Sequence, residues 1–420
     1  MTRCNKKLAL AAGILAIVAG PLSVAPVAAA EGNSALEEGK KIAFSRSKGN
    51  CLACHMIVGG EFPGNLGPPL IAMKARYPDR AKLRAQIWDA SKVNPETAMV
   101  LFGKHGVLSE AELEKVVDYI WSLRPISHRS NPINCLENIQ IMNNILKNLA
   151  MLAIAGGVVI TAQASTPEED RAAFVKHYKF RFPEVPMEEY ANGAYAIDKV
   201  GRENWEAIEE FPPYEPFIDS GNEMWDTPFA NGKTYKDCFP KGPAIVADYP
   251  RWDKKQGMVI TLPLAINQCR KANGEKPLKY KKGSINDILA YIAWESRGQK
   301  INVVVPKDDP KALEAYEKGK KFYFTRRGQL NFSCASCHVQ NTGLKVRTEI
   351  LSPSLGHVTH WPTYRSKWGT VGTLHRRFTG CNKNIRAKPF KAQGEQYRNL
   401  EYFLTFMSNG LELNGPGARK

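Results

Sequence analysis

The sequence predicts an all-α protein built from three small helical domains, two of them related by duplication. Three observations carry this expectation. First, "CLACH" at residues 51–55 and "CASCH" at residues 334–338 repeat one five-residue motif far apart in the chain. Second, each motif follows an amphipathic stretch with Gly-Lys-Lys on it, "LEEGKKIAFSR" or "YEKGKKFYFTR", and precedes a later helical pattern, near 109–123 ("SEAELEKVVDYIWSL") or 395–408 ("EQYRNLEYFLTFMS"). Third, landmarks recur at one fixed interval. "CRKANGEKPL" from Cys269 matches "CNKNIRAKPF" from Cys381, and "YIAWESRG" ending at Gly298 matches "FLTFMSNG" ending at Gly410, with the same spacing for both pairs.

The chain has 420 residues, 43% of them hydrophobic and 24% charged, enough for two or three domains with true cores. The formal net charge is +17. The Lys and Arg are scattered and no nucleic-acid module is visible, so the basic balance points to small anions and acidic partners rather than nucleic acid. Residues 1–30 read as a signal peptide. Arg3, Lys6 and Lys7 precede an apolar run from Leu8 to Val18, and Ala28, Ala29 and Ala30 form a small-residue cleavage site. That apolar core is too short to span a bilayer comfortably, so no stable membrane span is expected. The mature protein is then exported, to the periplasm, where disulfides form. The first domain occupies 31–126 and a polar linker with Cys135 occupies 127–141. Residues 142–164 form a second leader-like apolar segment with Lys147 and an Ala162-Gln163-Ala164 end, which is cleaved, or packs against protein as a buried helix, or, the favoured reading, marks two exported proteins joined in one chain.

The Cys-x-x-Cys-His spacing has a chemical reason. Two thiols about one helical turn apart can each form a thioether with a haem vinyl group, and the following His then binds iron. Two such motifs in an exported chain predict two covalently bound haem c groups, on Cys51 and Cys54 and on Cys334 and Cys337, with His55 and His338 as axial ligands. Helices crossing beside a haem give the cytochrome c fold, expected here for all three domains. Gly67 and Pro68 suit the loop that packs on His55, where a carbonyl can accept its ring N–H. For the opposite side of the first haem, Met56 adjoins His55 too closely to reach. Met99, in "NPETAMVLFG", is the leading candidate and Met73 the second. The second haem has no comparable Met, since Met407 falls inside the last helical pattern. His357, His360, His375 and Cys381 remain open.

The repeat makes residues 165–300 a copy of the haem-binding domain at 306–415. In the earlier copy Cys238 is followed by "FPKG" rather than a second Cys and a His, so this copy has lost its haem. Cys238 and Cys269 stand where two haem-facing cysteines would stand. Without a haem they can meet, and a disulfide between them closes a loop of roughly thirty residues for about 3 kcal/mol. Cys4 leaves with the leader and Cys135 lies in the linker. Cys381 is then left near a haem iron, among Arg376, Arg377, Lys383 and Arg386, as an unpaired thiol or, alternatively, in a disulfide to Cys135.

On "CLACH", "GGEFPGNLGPPL" and "NPETAMVLFG", residues 31–126 resemble SoxX. On "INQCR", "CASCH" and "RRFTGCNKNIRAKPF", residues 165–415 resemble the single-haem form of SoxA. The chain is similar to a SoxXA cytochrome of the thiosulfate-oxidising Sox pathway with both subunits in one polypeptide. The resemblance implies an L-cysteine S-thiosulfotransferase, which oxidatively joins thiosulfate to a cysteine of the SoxYZ carrier while an electron-accepting cytochrome c is reduced. It also implies that Cys381 is a haem ligand found as a persulfide, that Arg377 binds substrate, that His338 is the other axial ligand of that haem, and that His55 and Met99 ligate the SoxX haem. SoxX sequences often have Met-Pro where this chain has Met99-Val100. The chemistry is coherent: thiosulfate is a dianion suited to arginines, and joining two sulfurs releases two electrons, one for each haem. Without the resemblance, the residues also allow a dihaem electron-transfer cytochrome with no substrate chemistry.

Overall fold

The computed structural model describes residues 28–125 and 165–419. The expected leader up to residue 27, the linker, the 142–164 segment, Cys4 and Cys135 lie outside the described residues. Among the described residues, eleven α-helices of eight or more residues carry the fold: α1 (Ala28–Phe44), α2 (Arg80–Trp88), α3 (Glu110–Ser122), α4 (Pro167–Arg181), α5 (Lys199–Glu209), α6 (Glu215–Asp226), α7 (Leu262–Ala272), α8 (Ser284–Glu295), α9 (Pro310–Phe324), α10 (Leu374–Asn384) and α11 (Glu395–Met407). Their starts follow from the sequence. Ser109 and Thr166 form capping boxes with Glu112 and Glu169, and Thr261 and Thr373 accept hydrogen bonds from the first turns of α7 and α10. Among the described residues no helix is long and apolar enough to cross a membrane.

Three helix crossings organise three lobes. α1 packs on α3, α6 on α8, and α9 on α11. At each crossing a glycine lies against the partner backbone and an aromatic Cβ: Gly39 on Lys115 and Tyr119, Gly221 on Asp287 and Tyr291, and Gly319 on Asn399 and Phe403. A Cβ at any of the three would collide with the partner's carbonyl. The glycine of "EEGKK" and "EKGKK" is therefore a packing residue. The first lobe closes over Leu52, Ile57, Met73, Phe102, Leu113, Val117 and Ile120. The second closes over Trp225, Tyr235, Ile266, Ile285 and Ile288, and the third over Tyr316, Tyr323, Tyr397, Leu400, Phe403 and Met407.

The duplication is visible element by element. β1 (Arg251–Asp253) pairs antiparallel with β2 (Met258–Ile260), in register Arg251 to Ile260. A second hairpin precedes α10: after β3 (Lys345–Val346) and β4 (Glu349–Ile350), β5 (Thr363–Arg365) pairs with β6 (Thr370–Gly372), in register Thr363 to Gly372. Thr363 lies as far beyond Arg251, and Gly372 as far beyond Ile260, as Cys381 lies beyond Cys269. The capping residues Thr261 and Thr373 keep the same spacing. These two- and three-residue strands decorate a mainly helical protein. The last strand, β7 (Gly417–Arg419), adds to β5 in parallel. Helix α4, although it precedes the second lobe in sequence, puts Phe174 and Tyr178 into the core of the third.

Candidate functional site

The first motif sits in a single 3-10 turn, Cys51–Ala53, directly after α1 and behind Asn50 in a left-handed conformation. Burial pushes the Cys51 and Cys54 thiols up to about 12 and about 11. His55 Nδ1 donates to the Pro68 carbonyl at 2.7 Å, and Gly67 lies flat on the imidazole where no Cβ would fit. Burial also lowers the His55 pKa, so the ring is held neutral with Nε2 bare. Of the two methionines, Met73 is a core residue, 1% exposed, and its sulfur lies 3.6 Å from Arg76 Nη1. Met99 is half-buried on the edge of the same core, in a turn whose backbone N–H is tied to Thr97 Oγ1 at 3.0 Å.

The second motif repeats this design. Burial, and next the nearby Cys381 sulfur, push Cys334 and Cys337 up to about 12. His338 Nδ1 donates to the Ser352 carbonyl at 2.9 Å, and burial pulls its pKa down to about 4. The His357 ring packs edge-on against His338, centroids 4.3 Å apart, with its Nε2 3.0 Å from Ser352 Oγ. Tyr178, from α4, donates to the His338 carbonyl. Both motifs thus offer half-buried, un-ionised thiols one turn apart and a neutral imidazole oriented by a carbonyl, which fits two thioether attachments and one iron ligand of a covalent haem.

Cys381 lies on α10, half-buried, four residues after Arg377 and so on the same helix face. Arg377 is close enough to Cys337 and His338 to act on both, and it is in no ion pair among the described residues. The other cations of the stretch separate from it. Arg376 stacks on Trp368 at 4.2 Å. Arg386 is exposed and donates to the Ser47 carbonyl at 2.7 Å and to Gln329 Oε1 at 2.9 Å, and Lys383 is exposed. Sequence reasoning missed Arg365, on β5. Burial, and next the Arg377 charge, lower its pKa to about 10, and Cys381 acts on it as well. The repeat held a signal for it: the equivalent position of the earlier copy, on β1, is Asp253.

The remaining iron-ligand candidates are otherwise engaged. Met407 is fully buried in the third core. His375 Nδ1 accepts from the Gln393 N–H at 3.0 Å, and its Nε2 faces Glu401 Oε2 at 2.9 Å. His360 is buried, and burial, with Arg419 next, drives its pKa well down. Cys238 and Cys269 are joined in a disulfide, with Cα atoms 5.9 Å apart.

The first and third lobes meet at the motifs. His105 Nδ1 donates to the Gln329 carbonyl at 3.0 Å, Gln329 Nε2 donates to the Gly106 carbonyl at 2.9 Å, and Arg326 Nη1 donates to the Thr97 carbonyl at 2.8 Å. Cys54 lies near enough to Cys337 to add to its rise. Two redox groups held at these motifs would be neighbours.

Comparison with known proteins finds relatives for both parts of the chain. The family described as "SoxA/TsdA, cytochrome c domain" matches residues 220–301 and 318–413, and "Cytochrome c" matches residues 36–124. The L-cysteine S-thiosulfotransferase subunit SoxA of Allochromatium vinosum is 65% identical over 274 residues, covering 65% of this chain and 98% of that protein. The subunit of the same name from Chlorobaculum tepidum is 50% identical over 271 residues, covering 64% of this chain and 94% of that protein. A crystal structure of SoxXA from P. pantotrophus aligns over 53% of this chain and 84% of that chain, with 31% identity and a TM-score of 0.48.

Proposed function

The chain belongs to the SoxA family, with a cytochrome c domain ahead of the SoxA part, and on that premise we propose that it is an L-cysteine S-thiosulfotransferase acting in the periplasm on thiosulfate and a SoxYZ-like carrier protein. In the overall reaction a sulfur–sulfur bond forms between the terminal sulfur of thiosulfate and a carrier cysteine thiolate, and two electrons leave. When bound, two covalently attached haem c groups would supply one-electron acceptance, two electrons per turnover, with a cytochrome c as the onward acceptor.

The chain's own residues divide the remaining work. Cys51 and Cys54 would hold one haem, with His55 and Met99 on its iron. Cys334 and Cys337 would hold the other, with His338 and Cys381 on its iron. Arg377, in no ion pair among the described residues, receives the sulfonate oxygens, and Arg365 adds a second positive charge from β5. Cys381 forms the sulfur–sulfur bond to bound thiosulfate as two electrons are withdrawn. The carrier thiolate then attacks the thiosulfate-derived sulfur, and Cys381 departs as thiolate.

The observation that carries this reading is the placement of Cys381 and Arg377 on one face of α10 beside Cys334 and Cys337. A turnover assay tests it. Reduction of added cytochrome c should require both thiosulfate and carrier, with two equivalents reduced per carrier modified. Full reduction without carrier modification would leave only an electron-transfer protein.

A further inference from the structure

The hairpin β3–β4 touches both motifs. At the start of β3 the Lys345 carbonyl accepts from the Asn65 N–H at 3.1 Å, and at the tip the Arg347 N–H donates to the Ala53 carbonyl at 3.0 Å, inside the first motif. Just beyond β4, Ser352 holds His338, the proximal residue of the second motif. Gly64 of the first lobe lies so close to Lys345 that a Cβ there would strike its carbonyl.

Arg347 occupies the tip in a left-handed conformation, φ 56°. Its Nη2 donates to Asn50 Oδ1 at 2.8 Å and approaches the Phe44 carbonyl at 3.5 Å, and its Nη1 donates to the Glu61 carbonyl at 3.3 Å. Its Nε is buried with no partner among the described residues. No ion pair to a carboxylate is formed by Arg347 among the described residues, and Arg46 adds a second positive charge nearby. The guanidinium thus enters the turn that carries Cys51 and Cys54 from a different lobe, and among the described residues its hydrogen-bond partners are all neutral oxygens. A clamp built for adhesion alone has little reason to bring an unneutralised charge into a half-buried contact, because leaving it there costs desolvation.

We propose that Arg347 is a positioning residue by which the SoxA part sets the reduction potential of the first haem. Reduction removes one positive charge from a haem, so an uncompensated cation beside its attachment loop favours the reduced state. Arg46 belongs to the first lobe itself, so Arg347 is the charge that the docked third lobe adds. The first haem is then the better electron acceptor when joined to the site that releases the electrons, and the hairpin ties its loop to Ser352 and His338. The inference rests on the reading that both motifs carry haem.

The test is a spectroelectrochemical titration of the full two-haem chain, with the two ferric haems told apart by their electron paramagnetic resonance signals. Arg347→Gln should lower the reduced-to-oxidised ratio of the first haem about tenfold at a fixed ambient potential, or about 59 mV for a one-electron couple. The second haem should move much less. Arg347→Lys should restore most of the shift, and Asn50→Gly, which keeps the charge and allows the left-handed backbone, should leave the potential near that of the parent. An unmoved first wave in Arg347→Gln, or a Lys variant that behaves like Gln, would overturn the inference while leaving the proposed function standing. A single wave, with no haem mass on the first lobe, would overturn both.

Discussion

The two halves of the SoxA part repeat one set of elements at a fixed offset, and only the second half carries the residues of the proposed site. Both have the hairpin, the threonine-capped helix and the terminal helix at the same offset, and both place a cysteine at the same point of the capped helix. In the first half that cysteine, Cys269, is bonded to Cys238. Where the second half has Arg376 and Arg377, the first has Leu264 and Ala265, the latter buried in its apolar core. Where the second has Arg365, the first has Asp253, capping its own turn through Gln256. One half holds its two cysteines in a covalent bond amid aliphatic packing. The other has a free thiol, Arg365 and Arg377 close to the two cysteines of its CASCH motif. The elements are shared, and the proposed activity rests on a few side chains.

The strongest way to break this contrast is to exchange the fates of the two cysteines. Cys381→Ser should reduce carrier thiosulfonation by on the order of 10³-fold or more with little loss of stability, whereas Cys269→Ser should leave turnover close to normal, both read as initial rates of carrier modification. Arg377→Gln should lower kcat/KM for thiosulfate by roughly 10²-fold, the cost of losing a charged hydrogen-bonding partner for a dianion. Arg376→Gln, one residue away but stacked on Trp368, should cost only a few-fold, and equal losses for the two would erase the distinction between them.

Stability should reveal the complementary asymmetry. The disulfide closes 31 residues of separation, so Cys238→Ser with Cys269→Ser should lose about 3–4 kcal/mol from unfolding of the first half, measured by denaturant titration. Reducing agent should reproduce the loss in the parent protein and add nothing in the double variant. The smallest effect belongs to the helix crossings. Gly221→Ala and Gly319→Ala should each destabilise by about 1–3 kcal/mol, because each added methyl meets a partner carbonyl. A crossing that accepts alanine without loss would show that its helices are free to separate.

Much of this was legible in the sequence because covalent chemistry constrains spacing. Cysteines that must reach two vinyl groups cannot drift, so "CLACH" and "CASCH" were readable, as was the helix before each. The duplication was readable because Cys269 and Cys381 kept their setting. Other features depended on tertiary geometry. Arg365 lies well ahead of Cys381 in the sequence and arrives beside it only because β5 folds back before α10. Four cations close in sequence suggested one anion site, but helical geometry turned Arg376 toward Trp368, and the lobe contact drew Arg386 to Ser47. The attachment of α4 to the third lobe, through Tyr178 and His338, left no local signal, because its apolar residues would fit either neighbouring core.

The most direct measurement is the mass of the Cys381 peptide after oxidised protein meets thiosulfate without carrier. The account predicts that Cys381 gains thiosulfate-derived sulfur, that Cys238 and Cys269 remain paired and unmodified, and that adding carrier discharges the sulfur to the carrier cysteine. An unmodified Cys381 in a protein that still loads the carrier at full rate would contradict it.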